Sequence, residues 1–311
     1  MNKILVTGGA GFIGGSMAEK LASDKNNEVI IIDDLSTGSM SKVPISKHDN
    51  VRFIKCDVNA WKDLSGIMYS QSFDYVFHYA ALVGVDRTLE NPVKVLNDLA
   101  GIQNLLTFSK NSGVKRVYFS SSSEVYGESF HFPQHEETTP LNSRLPYAIV
   151  KNASEAFLKA FQQEYGLQYT IFRFFNTYGP RQTKDFVVSK FIAAAIKNKP
   201  IELYGNGKQT RTFCYIDDNI DACYNAFKKN LYVNDVVNIG GDDEVTIVDL
   251  AKIIIKLTRS NSEIVNLPPL PEGDMTRRKP DLTRMMKLLS RERTPLEEGI
   301  KRILRNMKII S

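Results

Sequence analysis

The chain has 311 residues, 42% hydrophobic and 24% charged, a composition that excludes disordered, collagen-like and disulfide-scaffold classes. At roughly 150 residues per domain, the length fits two packed units or one large α/β body. The net charge of +5 is uneven, because from Arg277 to Ser311 eleven Lys or Arg stand against four acids, a local +7 that leaves residues 1–276 at −2.

In chain order, the first strand is expected over Ile4 to Thr7. Only three apolar residues precede Gly8 after the initial Met-Asn-Lys, too few for a secretory signal, and no apolar run approaches the ~18 residues of a membrane span. A cytoplasmic protein is expected, with no membrane partner. The strand runs into Gly8-Gly9-Ala10-Gly11-Phe12-Ile13-Gly14, which opens a helix. Glycines at 8, 11 and 14 let the backbone N–H groups of the turn, through Phe12 and Ile13, face a pyrophosphate at the helix N-terminus, and Gly14 permits tight helix packing. A second strand, Glu28 to Ile32, ends at Asp33, nineteen residues past Gly14, where a carboxylate accepts the adenosine ribose hydroxyls. An acid there favours NAD over NADP, since it repels a 2′-phosphate.

The third strand, Val51 to Cys56, leads to Asp57, a candidate for the adenine edge or for helix capping. The fourth, Tyr75 to His78, leads to Ala80 and Ala81, small enough for close cofactor approach or simply for packing. The fifth, Arg116 to Ser120, leads into Ser121-Ser122-Ser123-Glu124-Val125-Tyr126-Gly127, and Tyr169 to Phe172 makes a sixth. Strands alternating with helix-length segments predict an α/β fold: a Rossmann-type doubly wound parallel sheet with a smaller C-terminal α/β substrate-binding domain. Runs as apolar as Val29-Ile30-Ile31-Ile32 fit strands buried on both faces.

Tyr147 and Lys151 stand four apart in a helical segment and so share one face. A phenol is a poor base at neutral pH; a nearby ammonium and a positive nicotinamide are expected to favour its ionised form. Ser122 and Ser123 place hydroxyls at the C-terminal edge of the sheet, where doubly wound folds bind ligands. Glu124 adds a carboxylate suited to moving a proton beside a ketone. Tyr147, Lys151, Ser122, Ser123 and Glu124 are thus the candidate catalytic residues.

Past Gly179 the rhythm loosens: a helix over Phe186 to Lys197, a turn at Gly205-Asn206-Gly207, a helix over Asp217 to Lys229 and a strand over Val236 to Ile239. Pro268, Pro269 and Pro271 then break the chain. Leu288, Leu289, Leu296, Ile300, Ile303 and Leu304 punctuate the basic segment at helical intervals, so it is expected to fold with a solvated basic surface. No basic stripe interleaved with aromatics points to nucleic acid. Cys56, Cys214 and Cys223 form no C-x-x-C pair, and His48, His78, His131 and His135 show no ligand spacing, so neither a metal site nor a disulfide framework is indicated.

Together these residues resemble the extended short-chain dehydrogenase/reductase family acting on nucleotide sugars, over essentially the whole chain. The resemblance rests on Thr7 to Gly14, Asp33, Tyr147 and Lys151, Arg173 to Arg181, and Gln209 to Asp218. It implies an NAD-binding domain over 1–175, to which the chain returns around 214–241, and a nucleotide-sugar-binding domain over 176–213 and 242–311. It further implies that Asn176, Arg211 and Arg278 contact the nucleotide diphosphate and that the base lies near Tyr204. Guanidinium groups suit phosphate through paired hydrogen bonds. A homodimer built from the segments 91–111 and 145–165 is a further expectation.

Members of this family share oxidation of the sugar to a 4-keto intermediate and differ in the steps after it. Ser121 through Gly127, Val187 to Ile192 and Arg278-Lys279-Pro280-Asp281 resemble UDP-glucuronate decarboxylases (UDP-xylose synthases), in which the arginine matching Arg278 is implicated in catalysis. Ala81-Leu82-Val83-Gly84-Val85 and Ala148-Ile149-Val150 look more like UDP-hexose 4-epimerases acting on UDP-glucose or UDP-GlcNAc. Nucleotide-sugar 4,6-dehydratases look like Thr-Asp-Glu at positions 122–124, and Ser123 departs from that. Asp98 stands where many relatives have Asn facing the cofactor. A catalytically silent NAD-sensing regulator on the same fold is the reading from a different class; such proteins typically lack the Tyr-Lys pair.

Overall fold

The structure is a computed structural model that describes residues 1–269 and 275–310, with the side chains of 85 and 86 left aside; Pro271 lies outside the described residues. Seven parallel strands form its centre. Six are β1 (Asn2–Thr7), β2 (Asn27–Asp33), β3 (Val51–Lys55), β4 (Tyr75–His78), β5 (Arg116–Ser122) and β6 (Gln168–Phe174), and the seventh is Asp235–Ile239. Their spatial order is β3-β2-β1-β4-β5-β6 and then Asp235–Ile239 at the edge. The order reverses between β1 and β4, and in such sheets the crevice at the carboxyl ends there is where ligands bind.

Side chains alternate along the strands and fill two cores. Ile4, Val6, Val29 and Ile31 pack with Met17, Ala18 and Leu21 of helix α1 (Phe12–Ala22) and with Ile220 and Cys223 of helix Ile216–Lys228. Leu5, Ile30, Ile32, Val76 and Val117 pack instead with Leu64 and Met68 of α2 (Trp61–Gln71). The same layer continues past α3 (Val85–Glu90) and α4 (Pro92–Leu96) to Ile102 and Leu105 of α5 (Asp98–Ser112) and Leu158 of α6 (Pro146–Tyr165). Burial on both sides is why β2 reads as an unbroken apolar run.

β5 runs two residues further than the sequence pattern implies: Ser121 and Ser122 pair with Arg173 and Phe174 of β6. The serines are therefore the rigid end of a strand. C-terminal to β6, Ile201–Tyr204 pairs in parallel with Ile264–Leu267, and helices Val187–Ala195, Ile247–Thr258 and Leu296–Asn306 pack around them. Their apolar faces belong to the same core as one face of the large sheet.

The basic C-terminal segment folds as helices, but its surface is less solvated than the sequence pattern implies. Arg277 and Lys279 pair with Glu244, Arg284 with Asp235 and Glu137, Arg291 with Asp218 and Asp221, and Arg293 with Asp242. These acids lie N-terminal to the segment, so the local +7 meets the acidic remainder of the chain. No described helix is long and apolar enough to cross a membrane.

Candidate active site

A cleft of about 450 Å³ opens over the carboxyl ends of β1, β2, β4 and β5 and is closed on its other side by residues 174–186 and Arg278. On its floor, Gly8 has φ +68, and a Cβ there would stand 2.6 Å from the backbone nitrogen of Ala80. A Cβ on Gly14 would lie 2.3 Å from the carbonyl oxygen of Gly8. Both positions need glycine for different reasons, a left-handed turn and a helix pressed onto that turn. The N-cap of α1 is Gly11, with no side-chain cap and no acid in the first turn. The first N–H groups of α1 are thereby left for an anion, and Gly11, Phe12, Ile13 and Gly14 line the cleft.

Asp33 is 8% exposed. Its Oδ2 accepts the N–H of Ala10 at 3.0 Å and its Oδ1 that of Leu35 at 2.8 Å. Burial raises its pKa, and those two N–H groups hold it back. Asp57, Ala80 and Ala81 also line the cleft. The side chain of Asp57 accepts from the N–H of Asn59, a turn contact, whereas α2 begins after Ala60 without a side-chain cap. A dinucleotide therefore fits the residues present: a glycine turn without Cβ atoms, an uncapped helix start and a positioned carboxylate one strand away.

The four serines divide their work. Ser120 donates to the carbonyl of His78 at 3.2 Å, and Ser121 donates to Glu155 at 2.6 Å. Ser122 accepts the N–H of Glu124 at 3.2 Å and faces the Tyr147 phenol, whose pKa it pulls down. Ser123 lines the cleft and is 1% exposed. Tyr147 is in the first turn of α6, whose Pro146 occupies a position where its missing N–H costs nothing. One turn on, Lys151 is 4% exposed and donates to the Ser120 carbonyl at 2.7 Å. Its ammonium lies 5.8 Å from the Tyr147 ring centre and 4.8 Å from that of Phe119.

The electrostatics differ from the sequence expectation. Burial, with Glu124 and Asp98 adding to it, raises the Tyr147 pKa well above its usual range; Ser122 and Arg278 pull the other way. Burial also brings Lys151 down to about 8, against the opposing pull of Asp98 and Glu155. In the chain alone, Lys151 does not depress the phenol. That task falls to whatever positive charge binds beside Tyr147.

Glu124 and Arg278 face each other in the cleft, with Arg278 Nη1 3.7 Å from Glu124 Oε1 and side chains 22% and 8% exposed respectively. Asn176, at φ +31, lines the same wall and donates its amide to the Thr212 carbonyl at 2.9 Å. The fold does not bring the other two expected substrate contacts to the wall. Arg211 lies in a short strand paired with Val245, its Nη1 on the Thr210 carbonyl. Tyr204 ends the strand Ile201–Tyr204, with the Lys190 ammonium 5.4 Å over its ring.

Two further features stand outside the set of candidate site residues. Asp98 lines the cleft at the start of α5, and no spacing rule connects it to Tyr147. His135, Glu136 and Asp281 bring ligand-type atoms within 4.8 Å of one another. Glu136 there already accepts the Asn238 N–H and faces the Arg284 charge, and none of the three lines the cleft.

Known proteins share this fold and sequence pattern. The model of the NAD dependent epimerase/dehydratase family matches residues 4–240. The chain is 34% identical over 310 residues to a putative UDP-glucose 4-epimerase of Methanocaldococcus jannaschii, covering 98% of each. It is 33% identical over 311 residues to UDP-glucuronic acid decarboxylase 1 of Danio rerio, covering 97% of this chain and 72% of the relative. Among solved structures it is similar to a UDP-glucose 4-epimerase of Thermotoga maritima with UDP-glucose, at 32% identity and TM-score 0.91, covering 98% of each chain.

Proposed function

The chain belongs to the NAD dependent epimerase/dehydratase family, and within it we propose that the enzyme modifies a UDP-sugar through a 4-keto intermediate, by decarboxylation of UDP-glucuronate to a UDP-pentose. The observation that carries the decarboxylase reading is the buried Arg278 beside Glu124 in the cleft. A guanidinium there meets the carboxylate of a hexuronate, with Glu124 as its partner in the absence of substrate. Relatives named UDP-glucuronic acid decarboxylases support it.

Bound NAD supplies reversible two-electron exchange at carbon 4 of the sugar. Tyr147 accepts the proton of the carbon 4 hydroxyl and returns it at the end, with Ser122 beside the same phenol. Lys151, whose one acceptor among the described residues is the Ser120 carbonyl, keeps N–H protons for the nicotinamide ribose. A ketone at carbon 4 makes the carbon 6 carboxylate a β-keto acid: the bond between carbons 5 and 6 breaks, CO2 leaves, the electron pair delocalises onto the ketone, and carbon 5 takes a proton. Ser123 and Glu124 shape the pocket around this centre. Gly8, Gly11, Phe12, Ile13 and Gly14 hold the pyrophosphate, Asp33 the adenosine ribose, Asp57 the adenine, and Ala80 and Ala81 the nicotinamide half. Asn176 and Arg278 take the sugar nucleotide from the cleft wall, with Arg211 assigned to its diphosphate and Tyr204 to its base.

Residues 1–175, rejoined at 214–241, act as the NAD-binding unit, and 176–213 with 242–311 as the sugar-nucleotide unit. A homodimer through 91–111 and 145–165 is part of this proposal, supported by the exposed Val93, Leu96 and Ile149 within those segments, and sedimentation tests it.

A second reading, UDP-hexose 4-epimerisation, is favoured by the cleft wall of Leu82, Val83 and Gly84, which offers no side-chain charge to a carboxylate. Proton NMR of the protein with NAD and UDP-glucuronate separates the two. A UDP-pentose and CO2 are expected; no pentose product, with UDP-glucose or UDP-GlcNAc converted to its 4-epimer, overturns decarboxylation. Tyr147→Phe is expected to lower turnover by about 10²–10⁴-fold while NAD stays bound, and near-normal turnover removes Tyr147 from its role.

A further inference from the structure

We propose that Asn238 is a positioning residue for the facing pair Glu124 and Arg278, its side-chain amide joining the turn that carries the acid to the strap that carries the guanidinium and so setting the gap between them. The proposal rests on the reading of Glu124 and Arg278 as groups that meet the sugar nucleotide.

Asn238 is fully buried on the edge strand Asp235–Ile239, opposite Arg173 of β6, which in turn lies opposite Ser121 of β5. The hydrogen bonds along this row run in one direction, because a guanidinium only donates. Arg173 gives Nε and Nη2 to Glu155 and Nη1 to the Tyr126 phenol oxygen, the last at 2.8 Å. With that oxygen accepting from Arg173, its own proton goes to Asn238 Oδ1, also at 2.8 Å. Burial pushes the Tyr126 pKa up to about 12, so the proton stays in place at neutral pH. An amide whose oxygen is fixed in this way turns its nitrogen elsewhere, and Asn238 Nδ2 donates to the carbonyl of Gln134 at 2.9 Å.

Each end of the amide holds one arm of the cleft. Tyr126 closes the 3₁₀ turn Ser123–Tyr126, so its anchored phenol fixes the turn that carries Glu124 two residues earlier. Gln134 brackets the strap around Arg278: its N–H donates to the Lys279 carbonyl at 2.7 Å, and its carbonyl accepts the N–H of Asp281 at 2.8 Å. Between the two arms Arg278 Nη1 stands 3.7 Å from Glu124 Oε1. The backbone N–H of Asn238 adds a second tie, donating at 2.8 Å to Glu136 Oε1, two residues past Gln134. The residue type matters at this point. Aspartate has no donor for the Gln134 carbonyl, and leucine leaves both buried partners unpaired.

Asn238→Asp keeps the acceptor for Tyr126 and sets a second oxygen against the Gln134 carbonyl; Tyr126→Phe removes the phenol and keeps the ring. The readout is the Arg278 Nε–H, which donates to the Met275 sulfur at 3.2 Å and is shielded there. It is followed by NMR in cofactor-free protein with isotope-labelled arginine and assigned by the signal lost in Arg278→Lys. Its exchange with water is expected to rise about tenfold in Asn238→Asp, and in the same direction in Tyr126→Phe, which carries the test alone if the first variant does not fold. The Nε–H of Arg116, also buried but at the other end of β5, is expected to keep its parental rate. Calorimetry of the NAD-loaded variants with UDP-glucuronate is expected to show about tenfold weaker binding, with NAD affinity within about twofold of the parent. An unchanged Arg278 rate in Tyr126→Phe overturns the proposal, and so does a rise shared equally by Arg116, which marks a general loosening of the fold. The exchange measurement needs no substrate. If Arg278 exchange rises while UDP-glucuronate binds as in the parent, the tie through Asn238 stands and the reading of Arg278 as a substrate contact fails.

Discussion

Replacing Lys151 by Met should make the protein more stable while ending its chemistry. The ammonium is 4% exposed and burial takes its pKa from 10.5 to about 8. At about 1.4 kcal/mol per pH unit, keeping that charge buried costs the folded state about 3 kcal/mol at neutral pH. The variant loses the 2.7 Å bond to the Ser120 carbonyl, which returns about 1 kcal/mol, and an unbranched methionine fills most of the same volume. The net expectation is a gain of about 2 kcal/mol at pH 7. The sign also fixes a pH dependence. Below about pH 8 both the folded and the unfolded lysine are protonated and the burial cost is complete. Between there and the unfolded value of 10.5 the unfolded chain binds the extra proton, so stability of the parent rises with pH. The advantage of Lys151→Met should therefore shrink across that window. Urea unfolding of the cofactor-free proteins at about pH 7 and about pH 10, on either side of most of that rise, measures it. A variant less stable than the parent at neutral pH, or an offset identical at both values, refutes the account of Lys151 as a destabilising charge retained for function.

Three further outcomes come from the same geometry. Arg173→Met strips Glu155 of a bidentate partner in a pair only 2% and 1% exposed, so urea unfolding should show a loss of about 3–5 kcal/mol, most of it recovered in the double variant with Glu155→Leu. Gly8→Ala forces a Cβ against Ala80 at a φ of +68 and should weaken NAD binding at least about tenfold, read by calorimetry, with about 1–3 kcal/mol of stability lost. Asp33→Ala leaves the N–H groups of Ala10 and Leu35 without their acceptor; NAD affinity should fall about tenfold and the discrimination against NADP should narrow, which parallel titrations with the two cofactors detect.

The large sheet was legible because its signal is local. Strands such as β1 and β2 sit between two helical layers, and burial on both faces leaves an apolar run that no helix of that length imitates. The pairing of Ile201–Tyr204 with Ile264–Leu267 was not, because the second strand buries almost nothing: its Val265 is 39% exposed and its burial never alternates cleanly. In the site, Tyr147 and Lys151 were legible from helical spacing, and the glycine turn from its place between a strand and a helix. The contacts of Asp98 at the start of α5 were not, since its carboxylate accepts from Leu82 and Asn59, which follow β4 and β3, strands separated in the sheet by β1 and β2. The pKa directions were equally hidden. A Tyr-Lys pair in sequence implies a depressed phenol, but burial and Glu124 decide the matter in the folded chain.

The basic C-terminal segment shows how a charge count becomes a site. Arg277, Arg278 and Lys279 are consecutive cations, indistinguishable in a count. Residue 277 bridges in parallel to Thr210, and in an extended backbone neighbouring side chains point to opposite sides. Arg277 and Lys279 accordingly both reach Glu244, whose carboxyl they hold down at about 2. Arg278, between them, is turned the other way, into the cleft and toward Glu124. The two outer cations anchor the strap from behind, so the middle guanidinium is buried at 6% exposure without a full ion pair of its own. A cation presented in that way, close to an acid at 3.7 Å but not locked onto it, is free to exchange that acid for an incoming carboxylate or phosphate.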